Sequence, residues 1–162
     1  MTITMEQLLE LCDACEFKVN THEDRSDEVF LFFGSKHYRD HEGDDSILTV
    51  IRIEDEGELL TVFSPNAYNA KGCAFRGALF SALLQLQYRN RLGAYEYDAD
   101  DGEIRYKVDL PVKSATVTPD QFHWAVTNVP AIVDMYDPVV REVMKTGRID
   151  LDLVALPDGG ES

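Results

Sequence analysis

An α+β domain built on an antiparallel sheet is the fold class this sequence predicts, and three observations lead to it. Segments with helical periodicity at both ends and in the middle bracket segments with the period-2 alternation of strands. A hairpin between Tyr95 and Val108 alternates aromatic or aliphatic with charged residues, so its sheet has one face to bury and one to leave in water. The 162 residues are 44% apolar and contain neither an internal repeat nor a linker, which is the composition of one folded unit. The predicted order is α-β-β-β-β-α-β-β-α-α, a four-stranded meander plus a hairpin with helices on one face. Residues 1–148 form the domain and 149–162 a tail whose last six residues are expected to be disordered.

Each element has its own signal. Thr4 and Gln7 have capping-box spacing, and Leu8, Leu9, Cys12 and Cys15 recur helically, giving a first helix over 5–15. Strands follow at 17–20, 28–34, 47–54 and 58–64, the second carrying the aromatic run Val29, Phe30, Leu31, Phe32, Phe33 expected of a central strand. Asp55, Glu56 and Gly57 make a turn, and Ser64, Pro65 and Asn66 end the meander before a second helix over 72–92. With Asp101 and Gly102 as a two-residue turn, Asp98 faces Arg105, Glu96 faces Lys107, Tyr97 faces Tyr106 and Tyr95 faces Val108. Thr118, Pro119 and Gln121 start a third helix. Pro130 is expected to interrupt or kink it, Asp137 with Pro138 repeats the start signal for a fourth, and Gly147 is a stop.

Composition excludes several functions. Lys plus Arg total 15 against 30 Asp plus Glu, a net charge of −15 that repels nucleic-acid phosphates and anionic lipid headgroups alike. Three cysteines do not make a disulfide framework, the N-terminus has no secretory pattern, and no apolar stretch is long enough to cross a bilayer. A reduced, cytoplasmic protein without nucleic-acid or membrane partners is expected. No glycine-rich phosphate loop, nucleophile elbow or His-Glu-x-x-His is present, so no catalytic, cofactor or metal residue is assigned.

Two weaker constellations remain. Cys12 and Cys15 form a C-x-x-C that could serve a thiol redox sensor, although it lies toward the end of a helix rather than at its start. His37 and His41, with Asp40, Glu42, Asp44 and Asp45, could suggest a cation site, but they fall in a polar loop. Asp98, Asp100, Asp101 and Glu103 have the wrong spacing for a calcium loop. A small enzyme with an unrecognised acidic site is the other alternative.

The strongest feature is that the second helix is apolar on two sides. Phe75, Leu79, Ala82, Leu83 and Leu86 make the stripe a sheet would cover. Phe80, Leu84 and Tyr88 make a second one opposite it, implying either a roof from the C-terminal third or another subunit. Residues 71–92 also carry Lys71, Arg76, Arg89 and Arg91 with no acid, a charge of +4, whereas residues 21–58 hold 12 acids and 4 bases. The candidate partner-binding residues are therefore Phe80, Leu84, Tyr88 and Arg91. Ile149, Leu151 and Leu153 join them because their alternation with Asp150 and Asp152 would let the tail add as a strand to a sheet edge.

Gly93, Ala94, Tyr95, Glu96, Tyr97 and Asp98, followed by Asp101, Gly102, Glu103, Ile104, then Leu110 and Pro111, then Thr118, Pro119, Asp120, Gln121 and Phe122, resemble the YbjN-type family of small bacterial regulators of sensory transduction. The element order over residues 1–147 is similar to that fold, which in turn resembles the class I chaperones of type III secretion. Asn90 matches an Asn found near the end of the second helix in many relatives. The resemblance implies no active site. It implies a non-enzymatic, protein-binding module with a chaperone-like or regulatory role, commonly a homodimer, engaging its partner through apolar surface.

Overall fold

The computed structural model describes residues 2–155. Helix α1 (Met5–Ala14) is opened by the reciprocal capping box of Thr4 and Gln7. Strands β1 (Asn20–His22), β2 (Arg25–Gly34), β3 (Ser46–Glu54) and β4 (Leu59–Asn69) form the meander. Helix α2 (Arg76–Gln87) then carries the chain to the far edge, where β5 (Ala94–Tyr97) turns into β6 (Glu103–Pro111). Helix α3 (Pro119–Thr146) closes the domain. The sheet is antiparallel throughout, in the order β1-β2-β3-β4-β6-β5.

All three helices lie on one face. Val29, Leu31, Ile47, Ile51, Leu60, Val62, Ile104, Tyr106 and Val108 point into them at the period of 2 that the sequence shows. The opposite face is held by charge. Arg52 and Arg105 both lie over the Phe63 ring, at 4.8 and 5.0 Å from its centroid, Arg52 pairs with the buried Glu28 at 2.7 Å, and Arg105 and Lys107 both reach Glu96 at 2.9 Å. It is not wholly polar as expected, because Phe30 stands opposite Val50 and Phe32 opposite Leu48, with Phe32 60% exposed. The aromatic strand is second from the edge, covered on one side only by the three-residue β1.

Several boundaries differ from expectation. The C-terminal region is one 28-residue helix, with Pro130 and Pro138 inside it. Burial of Phe122, Val126, Val129, Val133, Val139 and Val143, each worth about 1.5–3 kcal/mol, outweighs the roughly 3 kcal/mol that each internal proline costs. Asp137 is therefore no helix start; it is buried and accepts hydrogen bonds from the Tyr68 hydroxyl (3.0 Å) and Arg141 Nε (3.1 Å). Strand β4 continues past Pro65 because the ladder to β6 is irregular between Ser64 and Tyr68, where a missing N–H costs nothing.

The hairpin register is displaced by two residues. Tyr95 faces Tyr106, Glu96 faces Arg105 and Tyr97 faces Ile104, with residues 98–102 as the loop. The Asp98 carboxylate accepts the Asp100 N–H and that of Asp101 accepts the Glu103 N–H, both at 2.9 Å, which closes a longer loop than Asp-Gly alone. A shift of two preserves both faces, so Tyr95 and Tyr106 still point inward. Gly102 has φ +85°, and a Cβ there would lie 2.7 Å from Asn69 Oδ1 and 2.8 Å from the Lys71 nitrogen, so no other residue fits.

Ile149, Leu151 and Leu153 are not a strand. Residues Leu151–Leu153 form a 3-10 turn capped by Asp150, and the Ala155 N–H donates to the Met135 carbonyl at 2.9 Å, folding the segment back on α3. The tail's apolar residues find cover there instead of at a sheet edge. The expectation of disorder in the last six residues lies outside the described residues.

Candidate functional site

Helix α2 sits at the rim of the helical layer, over β5 and beside α3. Leu79, Ala82, Leu83 and Leu86 are buried against the sheet and α3. Among the described residues, nothing of the chain's final third roofs the other stripe. Leu84 is 72% exposed and Tyr88 94%, while Phe80 is half-buried through the Tyr97 ring, 4.7 Å away between centroids. Arg91 follows, exposed, in the turn after the helix. Four of the residues singled out from the sequence thus lie along one edge of the molecule, and Ile149, Leu151 and Leu153 lie elsewhere, on α3.

The position of this ridge is fixed by polar contacts that periodicity does not reveal. Gln87 Nε2 donates to the Gly93 carbonyl at 2.7 Å while its Oε1 accepts the Tyr95 N–H at 3.1 Å, pinning the end of α2 to the start of β5. The Tyr136 hydroxyl donates to Asn90 Oδ1 at 2.7 Å and the Tyr106 hydroxyl to the Leu92 carbonyl, tying the same turn to α3 and β6. Asn90 is therefore a structural tether. Burial pushes the Tyr95 and Tyr106 hydroxyls well above the ordinary tyrosine range, so both stay neutral, that of Tyr106 as a donor.

Two apolar hollows flank residues 115–117. One, of about 250 Å³, is lined by Ile3, Leu11, Val112 and Val117; the other, about 290 Å³, by Leu92, Leu110, Pro111 and Trp124. Trp124, the single tryptophan, is 59% exposed at that rim. No periodic signal marks it, because it lies on the solvent side of a helix whose other side obeys the pattern.

The residues of the chemical alternatives are occupied structurally. Cys12 is buried, and that burial, with the neighbouring Cys15, pushes its thiol up to about 12. Cys15 is raised as well, by burial and by Asp120, and its Sγ donates to the Pro119 carbonyl at 3.3 Å. The loop with His37 and His41 is docked by Asp134 of α3, whose carboxylate accepts the N–H groups of Lys36, His37 and Tyr38 at 2.7–3.1 Å. Asp40 uses its carboxylate within the loop, accepting from Glu42 and Asp44 at 2.9 Å. Among the described residues, no group of three or more His, Cys, Asp or Glu is arranged to hold a metal, and no helix is long and apolar enough to cross a membrane.

With an exposed apolar ridge on α2, the six-stranded antiparallel sheet and the three helices on one of its faces define an α+β class of fold. Within it, the chain belongs to the YbjN family, described as "Putative bacterial sensory transduction regulator", which it matches over residues 4–142. It is similar to the crystal structure of YbjN from E. coli, with a TM-score of 0.59 at 14% identity, covering 93% of this chain and 99% of that one. It is also similar to ExsC in the crystal structure of the ExsC–ExsE complex, with a TM-score of 0.50 at 10% identity over 86% and 97% of the two chains. No curated protein matches it.

Proposed function

We propose that this protein is a non-enzymatic, cytoplasmic protein-binding module with a chaperone-like or regulatory role, working as a homodimer and docking through the α2 ridge of Phe80, Leu84, Tyr88 and Arg91. The observation that carries the reading is the exposure of Leu84 (72%) and Tyr88 (94%) one helical turn apart on a rigid helix. Large side chains so placed gain free energy only when another surface covers them. Family membership and the likeness to a chaperone solved with its protein partner support the same class. The raised thiols of Cys12 and Cys15 give no support to redox chemistry.

Sedimentation of wild type beside Leu84→Asp tests the proposal. The wild type is expected at twice 18.3 kDa and the variant at the monomer mass, with an unchanged far-UV spectrum. A monomeric wild type, or a variant with unaltered mass, would overturn the homodimer.

A further inference from the structure

The segment after α3 runs back along one line of that helix, and the line continues beyond it. Gly147 ends α3 at φ +76°, where a Cβ would lie 2.5 Å from the Phe75 ring, so only glycine lets the chain reverse there. Arg148 then bonds Glu142 through Nε and Nη2, both at 3.3 Å, and the Ala155 N–H reaches the Met135 carbonyl at 2.9 Å. Between these polar ends Ile149, Leu151 and Val154 are partly buried against the core, while Leu153 is 37% exposed. Glu142 and Met135 are seven residues apart, two turns along one face of α3. Seven further back on that face is Asn128, whose Oδ1 is buried and without a hydrogen-bond partner among the described residues. Helix α3 thus offers three acceptors in a row, at intervals of about 10.5 Å, and residues 148–155 use two of them.

The hold on this segment is light. Among the described residues, one backbone hydrogen bond joins 148–155 to α3. The turn's own bonds, from the Leu153 N–H to the Asp150 carbonyl at 3.3 Å and from the Val154 N–H to the Leu151 carbonyl at 3.4 Å, are long. The Arg148 side chain is largely in water, where an ion pair adds little. A segment attached in this way opens before the domain does. It also lies past residues 4–142, the stretch that matches the family. Opening uncovers an apolar track with a carboxylate at one end and neutral oxygens along it. Such a track fits an incoming segment of the same pattern.

We propose that residues 148–155 are an autoinhibitory cover, an internal ligand occupying a peptide-binding track on α3. A partner protein fills the track with a segment in which an arginine is followed by aliphatic residues one, three and six places on, as Arg148 is by Ile149, Leu151 and Val154. This surface is separate from the α2 ridge and does not rest on it. While closed, the cover lowers the partner's apparent affinity by the fraction of molecules that are open.

A fluorescein-labelled synthetic peptide of residues 148–155 is the probe, titrated by anisotropy against the full chain. Wild type is compared with the double variant Leu151→Asp/Val154→Asp, which undocks the chain's own copy. The variant is expected to bind the peptide at least about tenfold more tightly than wild type. An Arg148→Glu peptide is expected to bind about tenfold more weakly, and Glu142→Arg in the double variant to restore it. Amide exchange in wild type is expected to be faster at Ala155 than at Val143. Equal binding to wild type and variant would place the peptide elsewhere, and no binding to the variant would leave the track without affinity of its own; either overturns the proposal. A variant that loses its far-UV helical signal overturns it too, since the segment is then part of the core, as does exchange at Ala155 no faster than at Val143. Failure of the charge swap removes the arginine from the recognised pattern.

Discussion

Tyr136→Phe asks whether the α2 ridge is held in place by the tether behind it. The substitution removes one hydroxyl and keeps the ring, so packing against the core is retained. What is lost is the 2.7 Å hydrogen bond to Asn90 Oδ1. The variant leaves Asn90 Oδ1 without the hydroxyl it accepts from, while the neighbouring Tyr106 hydroxyl remains beside the amide. Deleting one partner of a buried hydrogen bond costs about 1–3 kcal/mol, and the part-buried setting places the expected loss near 1.5 kcal/mol. Urea unfolding of Tyr136→Phe, Asn90→Ala and the double variant reads it. The double variant is expected to be less destabilised than the sum of the singles, with a coupling of about 1 kcal/mol. Amide exchange is expected to quicken at residues 88–92 before the rest of α2. Additive single effects, or unaltered exchange at that turn, would refute the tether.

Other side chains yield measurable outcomes as well. Asp134→Ala is expected to cost about 2 kcal/mol at neutral pH by releasing the loop that His37 and His41 occupy. Partial burial works to raise the Asp134 carboxyl, but the N–H groups of Tyr38, His37 and Lys36 outweigh it and hold the pKa below the ordinary value. Its stabilisation is therefore full above the unfolded pKa of about 3.9 and lost as pH falls through the folded one, so wild type and variant should converge in acid urea titrations. A difference that persists undiminished at pH 3 would contradict this. Cys12 is expected to resist iodoacetamide in the native protein at pH 8 and to react on unfolding, as followed by mass spectrometry; rapid native labelling would reopen the redox alternative.

Much of the fold could be read from local chemistry. Both capping boxes, at Thr4 with Gln7 and at Thr118 with Gln121, start helices as expected, because those bonds lie within four residues of chain. The faces of the β5–β6 hairpin were equally legible from alternation. Its register was not, since a displacement of two leaves the alternation unchanged and only the loop, with Asp98 and Asp101 bonding to backbone, distinguishes the two pairings. Pro130 and Pro138 misled for the opposite reason: their local cost is real, but the buried flank of α3 is a tertiary gain invisible to a local reading. At the candidate surface, the double-sided character of α2 was apparent in sequence. That Gln87 and Asn90 hold it was not, because their partners Gly93, Tyr95 and Tyr136 reach them through the fold.

The placement of Trp124 has a spectroscopic consequence. With the only indole largely in water and the tyrosines Tyr68, Tyr95 and Tyr106 in the interior, native emission should already be red-shifted and change little in wavelength on denaturation. Near-ultraviolet dichroism of the phenol rings will report loss of tertiary order more faithfully. The indole is instead a built-in optical probe of the apolar hollow that it borders, blue-shifting when anything dry settles against it.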